Sequence, residues 1–130
     1  MNYRAFHKLS YGLYIVATES GGTKAGYVAN TVFQVTSSPP CIAVSCHREN
    51  HTLGYMLESG VFSVSVLKKE VNIALIGEFG YMSSTKTDKF AHVKNLPKVT
   101  GAPIILDSVT AWLDCRIIQT LDLGSHMLLI

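Results

Sequence analysis

The segment Val61-Phe62-Ser63-Val64-Ser65-Val66-Leu67 alternates bulky apolar side chains with small hydroxyl side chains. Successive side chains of a β-strand point to opposite faces, so this period of two predicts a strand. Phe62, Val64 and Val66 should lie on one face, with the two serines on the other. The same alternation recurs over residues 112–118. The clearest periodic signals in the chain are therefore those of strands.

Segments on the N-terminal side of this strand are rich in β-branched and aromatic residues, which strands favour. A Gly-rich turn around residues 19–24 separates the first two of them. The predicted strands in this half of the chain cover residues 11–18, 27–36 and 41–47.

Short helices are predicted between the strands. Residues 51–59 and about 70–79 each precede a glycine, which commonly ends a helix, and residues 2–9 suit a short helix capped by Asn2. Because the strands outnumber these connectors, we predict a single, mainly β domain over residues 1–130. Its antiparallel strands should form a closed or nearly closed barrel, which leaves few exposed edges.

The composition excludes several classes of protein. The chain has 130 residues, of which 48% are hydrophobic and 15% charged, and a formal net charge of +2. It is too apolar for a disordered chain and too weakly basic for a nucleic-acid-binding face. No apolar run approaches the ~20 residues of a membrane helix, and the N-terminus lacks a signal-peptide core. Three cysteines fit neither a disulfide framework nor a CxxC zinc site, so we expect reduced thiols and a cytoplasmic protein.

Polar residues interrupt the strand pattern in places where ligand chemistry could lie. Asn30 and Thr31 either face a ligand or mark a β-bulge or strand end. Residues 45–52 pass from a strand into a helix, where Arg48, the Asn50 cap and free backbone N–H groups could bind a phosphate. The alternative at this point is an ordinary capped helix.

Two later stretches carry similar polar signals. Residues 81–90 are rich in hydroxyls and lysines, and they suit either a second polar contact to a ligand or a solvated loop. Gly124-Ser125-His126 opens the last predicted strand. No metal site is predicted, because the available Cys and His side chains do not share one helix face or one ligand motif. Those side chains are Cys46, His47, His51 and His126.

Taken together, these stretches resemble a known family. The matching motifs include Ala29-Asn30-Thr31 and Gly124-Ser125-His126, and further matches cover residues 9–14, 32–37, 39–45, 50–52, 59–65, 76–80, 88–90 and 101–104. In this order and spacing they resemble the flavin reductase-like family of FMN-binding split β-barrels. Within that family the chain is most similar to flavoredoxins, ferric reductases and the flavoprotein domain that is fused to rubredoxin.

The resemblance implies a homodimer that binds FMN, with FAD as the alternative, and uses NAD(P)H or a rubredoxin-like protein as electron donor. The acceptor would be free flavin, ferric iron or a partner protein. A flavoredoxin-like electron carrier and a flavin-binding module without reductase activity remain the alternatives. The implied cofactor-binding residues are Ala29, Asn30, Thr31, Ser45 and Cys46 beside the ring, Arg48, Asn50 and Thr52 at the phosphate, and Ser84, Thr85 and Lys89 in the later loop.

The resemblance also implies two residues at the reactive side of the flavin. Cys46 and His126 correspond to a cysteine and a histidine that suggest an acceptor or iron site in related ferric reductases. Related domains continue past the strand that contains this histidine, whereas the present sequence ends at Ile130. We therefore expect a C-terminally truncated or unusually short member of the family.

Overall fold

A computed structural model describes residues 3–69, 73–80, 90–91 and 93–130 of the chain. Within these ranges the helical elements are a 3-10 helix (Tyr3–Lys8), α1 (His51–Ser59) and α2 (Ile73–Gly80). The strands are β1 (Tyr14–Ser20), β2 (Thr23–Ala29), β3 (Val32–Ser37), β4 (Pro40–His47), β5 (Val61–Leu67), β6 (Asn95–Pro97), β7 (Pro103–Ile105), β8 (Val109–Arg116), β9 (Thr120–Asp122) and β10 (His126–Leu129).

The strands form two four-stranded antiparallel sheets and one additional strand pair. The first sheet has the order β2-β1-β5-β8, the second has the order β3-β4-β10-β9, and β6 pairs with β7. Side chains from both sheets and from α1 share one core, which includes Val16, Val44, Met56, Phe62 and Leu129. The predicted mainly β, antiparallel architecture is confirmed.

The chain passes from the first sheet to the second at Asn30 and Thr31. The sequence pattern predicted one strand over residues 27–36, but the structure divides this stretch between β2 and β3. The polar dipeptide therefore marks the end of a strand and not a bulge within one. This crossover places the ends of β2, β4 and β10 close to one another.

Strand β5 is buried on both faces. Ser63 and Ser65 have no exposed surface, although their alternation with apolar residues could also belong to a half-exposed strand. Ser63 Oγ donates a hydrogen bond to the carbonyl of Pro103 over 2.6 Å, and Ser65 Oγ donates to that of Ile105 over 2.9 Å. Strand β7 thus covers the serine face, and each of the two serine hydroxyls has a partner.

Helix α1 begins and ends where the sequence predicts. The Asn50 side chain accepts a hydrogen bond from the backbone N–H of Thr52 over 2.9 Å. At the other end Gly60 adopts a left-handed conformation, with φ of 74°, which other residues rarely tolerate. These two caps fix the direction in which the chain leaves β4 and enters β5. In the described part of the chain, none of the helices has the length and apolar character needed to cross a membrane.

Candidate flavin-binding site

A cleft of about 360 Å³ opens at the seam between the two sheets. It lies where β2 and β4 end and where β10 and α1 begin. One part of its wall is apolar, and the rest carries amide, hydroxyl and imidazole groups. Its lining residues are Leu13, Tyr27, Val28, Ala29, Asn30, Thr31, Ser45, His47, Asn50 and His126.

Asn30 and Thr31 form the edge of the cleft at the sheet crossover. The Thr31 hydroxyl donates to Asn30 Oδ1 over 3.0 Å, which orients the Asn30 amide. The backbone N–H of Ser45 donates to the Thr31 carbonyl over 3.1 Å and joins β4 to the crossover. Within the described residues, the Asn30 amide nitrogen and the Ser45 hydroxyl have no hydrogen-bond partner, so both can bond a ligand.

Strand β4 sends alternate side chains to the cleft and to the core. Ser45 and His47 line the cleft, whereas Cys46 between them is fully buried in the core. Burial raises the pKa of the Cys46 thiol to about 11. The expectation that Cys46 faces the cofactor is not what the geometry shows, because neighbouring residues of a strand point to opposite faces.

The start of α1 contributes the polar end of the cleft. Asn50 lines it, and its side chain is already engaged in capping the helix. Thr52 is the second residue of α1, and its side chain is buried. The Leu53 N–H also donates to the Asn50 carbonyl, so what this end offers a phosphate is the positive end of the helix dipole.

Arg48 is held away from the cleft by the β9–β10 hairpin. Its guanidinium forms an ion pair with Asp122, and its Nε donates to the carbonyl of Gly124 over 2.8 Å. Its backbone N–H also donates to the carbonyl of Ser125 over 2.9 Å. The side chain predicted to bind phosphate thus joins the end of β4 to the turn that precedes His126.

His126 reaches the cleft beside His47. The two residues are direct partners in the β4–β10 pairing, and their ring centroids lie 4.8 Å apart in an edge-to-face arrangement. His47 was considered as a metal ligand in the sequence analysis but was not among the residues predicted to line a flavin site. The alternation of β4 would have identified it, once Ser45 was assigned to the ligand face.

The structure thus brings six of the predicted site residues together and leaves three elsewhere. Cys46 and Thr52 are buried, and Arg48 is bound to the hairpin. Three further predicted residues, Ser84, Thr85 and Lys89, lie outside the described residues. The six that line the cleft are Ala29, Asn30, Thr31, Ser45, Asn50 and His126.

The lining of the cleft fits a flavin. Leu13, Val28 and Ala29 supply apolar surface for a flat ring system. The free Asn30 amide nitrogen and the Ser45 hydroxyl can bond ring heteroatoms, and the start of α1 suits a phosphate. An apolar slot with a few directed hydrogen bonds is what a protein contributes to flavin chemistry.

Two packed antiparallel sheets with such a cleft at their seam define a flavin-binding split barrel. The Flavin reductase like domain family matches residues 6–130, and the chain belongs to this family. Its class of activity is that of a flavin-dependent oxidoreductase.

Several known proteins are similar to the chain. A ferric-chelate reductase (NAD(P)H) from Archaeoglobus fulgidus is 43% identical over the whole chain, which spans 77% of that protein. A high molecular weight rubredoxin from Moorella thermoacetica is 42% identical over the whole chain, which spans 57% of it. Among solved structures, the flavin reductase HpaC complexed with NADP+ has a TM-score of 0.82 at 25% identity, covering 97% of this chain and 77% of that one.

Proposed function

We propose that the domain binds FMN in the cleft and passes electrons through it from NAD(P)H to an acceptor. The observation that carries this proposal is the cleft itself, in which an apolar wall meets the free Asn30 amide at a strand end. The relative from A. fulgidus is named a ferric-chelate reductase (NAD(P)H), which supports NAD(P)H as the donor and a ferric chelate as the acceptor. The bound flavin would supply the exchange of a hydride for single electrons.

The residues of the cleft have distinct roles in this proposal. The edge formed by Ala29, Asn30 and Thr31 orients the ring, and Ser45 bonds it from β4. The start of α1 at Asn50 holds the phosphate, and FMN suits it because it has one such group. Cys46 contributes through its backbone, since its side chain lies in the core. Ser84, Thr85 and Lys89 remain proposed contacts, and they follow α2 in the sequence.

Exposed apolar side chains support a homodimer. Phe33 on β3 and Leu121 on β9 are each 50% exposed, and both lie on edge strands of the second sheet. Large apolar side chains concentrated on sheet edges are typical of surfaces that another chain covers. We infer that a second copy covers this region, which adjoins the cleft through β4 and β10.

A redox protein is the second candidate for a partner. The relative that is 42% identical is named a high molecular weight rubredoxin. We therefore propose that a rubredoxin-like protein can exchange electrons with the domain, either as donor or as acceptor. Three free cysteines fit a reducing compartment, and we assign the protein to the cytoplasm.

The proposal is tested by cofactor uptake followed by anaerobic reduction. The protein is incubated with FMN or FAD, desalted, and examined by visible absorbance. We expect stoichiometric FMN, bleaching of its absorbance by NADH or NADPH, and its return on addition of ferric citrate, free FMN or oxidised rubredoxin. Failure to retain either flavin would contradict the site. Retention of FMN without bleaching by either nicotinamide would contradict the reductase and leave the carrier function.

A further inference from the structure

We propose that His47 pairs with His126 to bind the carbonyl or carboxylate oxygen of the substrate that approaches the cleft. This inference rests on the proposed function and assigns a role to His47, which the sequence did not connect with the flavin. The ligand group has two possible sources: the carboxamide of a nicotinamide donor, or the carboxylates of a chelated ferric ion.

The geometry fixes the two rings relative to each other. His47 and His126 stand directly opposite each other on β4 and β10. Their rings meet edge to face, with an interplanar angle of 74° and centroids 4.8 Å apart. Both line the cleft, so a ligand entering it meets the two imidazoles together.

Hydrogen bonds occupy the Nδ1 atom of each ring. The backbone N–H of Glu49 donates to His47 Nδ1 over 3.1 Å, so that nitrogen keeps its lone pair and a neutral ring carries its proton on Nε2. Ser125 Oγ lies 2.8 Å from His126 Nδ1. Within the described residues neither Nε2 atom has a partner, so each is available to a ligand.

The β9–β10 turn holds His126 in this position. Arg48 follows His47 directly and bonds the carbonyl groups of Gly124 and Ser125. The same arginine pairs with Asp122 on β9. A single residue therefore ties the strand that carries His47 to the turn that precedes His126.

The tautomer of His47 determines which class of ligand this residue can bind. An imidazole with its proton on Nε2 is a hydrogen-bond donor there and not a metal ligand. A planar carbonyl or carboxylate oxygen is the acceptor that this donor fits. The role of His47 is thus to position a substrate, and the electron transfer itself does not pass through its ring.

Separate half-reactions test the role of His47 and identify the source of the oxygen. In one arm, NADH or NADPH reduces the FMN-loaded protein anaerobically. In the other, dithionite-reduced protein is oxidised by ferric citrate. We expect H47A to raise the half-saturating substrate concentration about threefold to tenfold in one arm, the loss typical of one hydrogen bond, with little change in the limiting rate. H47Q, whose amide can donate from a position near Nε2, should recover much of the loss.

Matched variants separate this role from general damage. H7A removes an exposed imidazole from the N-terminal 3-10 helix and should match the wild type in both arms. Unchanged half-saturation for H47A in both arms would overturn the inference. Equal weakening of FMN binding by H47A and H47Q would also overturn it, because His47 would then serve the cofactor. If the wild type is not reduced by nicotinamides, the proposed reductase fails while the ferric arm still decides the role of His47.

A binding measurement without turnover provides an independent readout. Long-range ¹H–¹⁵N NMR of the protein should show the His47 proton on Nε2. Titration with nicotinamide mononucleotide or with redox-inert gallium citrate should shift the His47 and His126 resonances together, while His7 stays unchanged. A proton on His47 Nδ1, or no shift with either probe, would contradict the proposed pair.

Discussion

Arg48 and Asp122 form an ion pair that fastens the end of β4 to the β9–β10 hairpin. The aspartate also accepts a hydrogen bond from the backbone N–H of Gly124 over 2.9 Å. These two contacts of Asp122 thus close the turn that precedes β10, which begins at His126. The consequence of the ion pair for function is indirect, since it holds an imidazole of the cleft in place without lining the cleft.

Stability should depend on the ionisation of Asp122. The backbone N–H of Gly124 and, after it, the Arg48 guanidinium lower the pKa of this carboxyl group. A lowered folded pKa stabilises the fold at pH values above the unfolded pKa, about 4, and this contribution is lost as pH falls through the folded value. We expect D122N to be less stable than the wild type at pH 7, with the difference shrinking below about pH 4. Urea unfolding at several pH values measures it, and a difference independent of pH would contradict it.

The buried hydroxyl of Ser63 should contribute to stability through its partner. S63A leaves the Pro103 carbonyl without its 2.6 Å hydrogen bond inside the core. An unsatisfied buried acceptor costs about 1–3 kcal/mol, so the free energy of unfolding should fall by that amount. T110A, on an exposed position of β8, is the control and should change it by less than about 0.5 kcal/mol. Equal effects of the two substitutions in urea denaturation would argue against the role of burial.

Loss of the Asn30 amide should weaken flavin binding. N30A removes the free donor at the sheet crossover and should raise the Kd for FMN about threefold to tenfold, as expected for one lost hydrogen bond. Quenching of flavin fluorescence on titration measures the Kd. Q34A removes an exposed amide from β3, outside the cleft lining, and should leave the Kd unchanged. An N30A protein with wild-type affinity would place the ring elsewhere.

The Cys46 thiol should be unreactive in the folded protein. It is fully buried, and its pKa of about 11 leaves roughly one thiolate in a thousand molecules at pH 8. Timed alkylation with mass spectrometry should label half-buried Cys41 first and Cys46 only after addition of urea. Labelling of Cys46 in the native protein as fast as in urea would show that its side chain reaches the cleft.

The sequence predicted correctly those elements whose signals come from residues close together in the chain. The β5 alternation, the Asn50 cap and the Gly60 stop placed β5 and α1 at their observed bounds. Such signals succeed because pleat geometry and helix-end hydrogen bonds involve residues close in sequence. The polar dipeptide Asn30-Thr31 was also found, although the same residues could have belonged to a bulge.

Contacts between segments distant in sequence decided which way side chains face and which groups they bond. Ser63 is buried because β7, 40 residues later, covers it. Cys46 faces the core, while His47 faces the cleft, because β4 pairs with β3 and β10 in one register only. Arg48 bonds Gly124, 76 residues away, and so leaves the anion site that its position beside a helix start had suggested.

The sequence by itself determined a mainly β flavoprotein domain, since residue periodicity and a spaced set of family motifs are properties of the chain alone. Only the tertiary structure decided which polar side chains meet. Because of strand register and sheet packing, Cys46 is buried in the core and Arg48 forms an ion pair with Asp122. The same packing brings the rings of His47 and His126 into contact at the cleft. A one-residue shift along β4 would exchange the faces of Cys46 and His47, because alternate side chains occupy opposite faces.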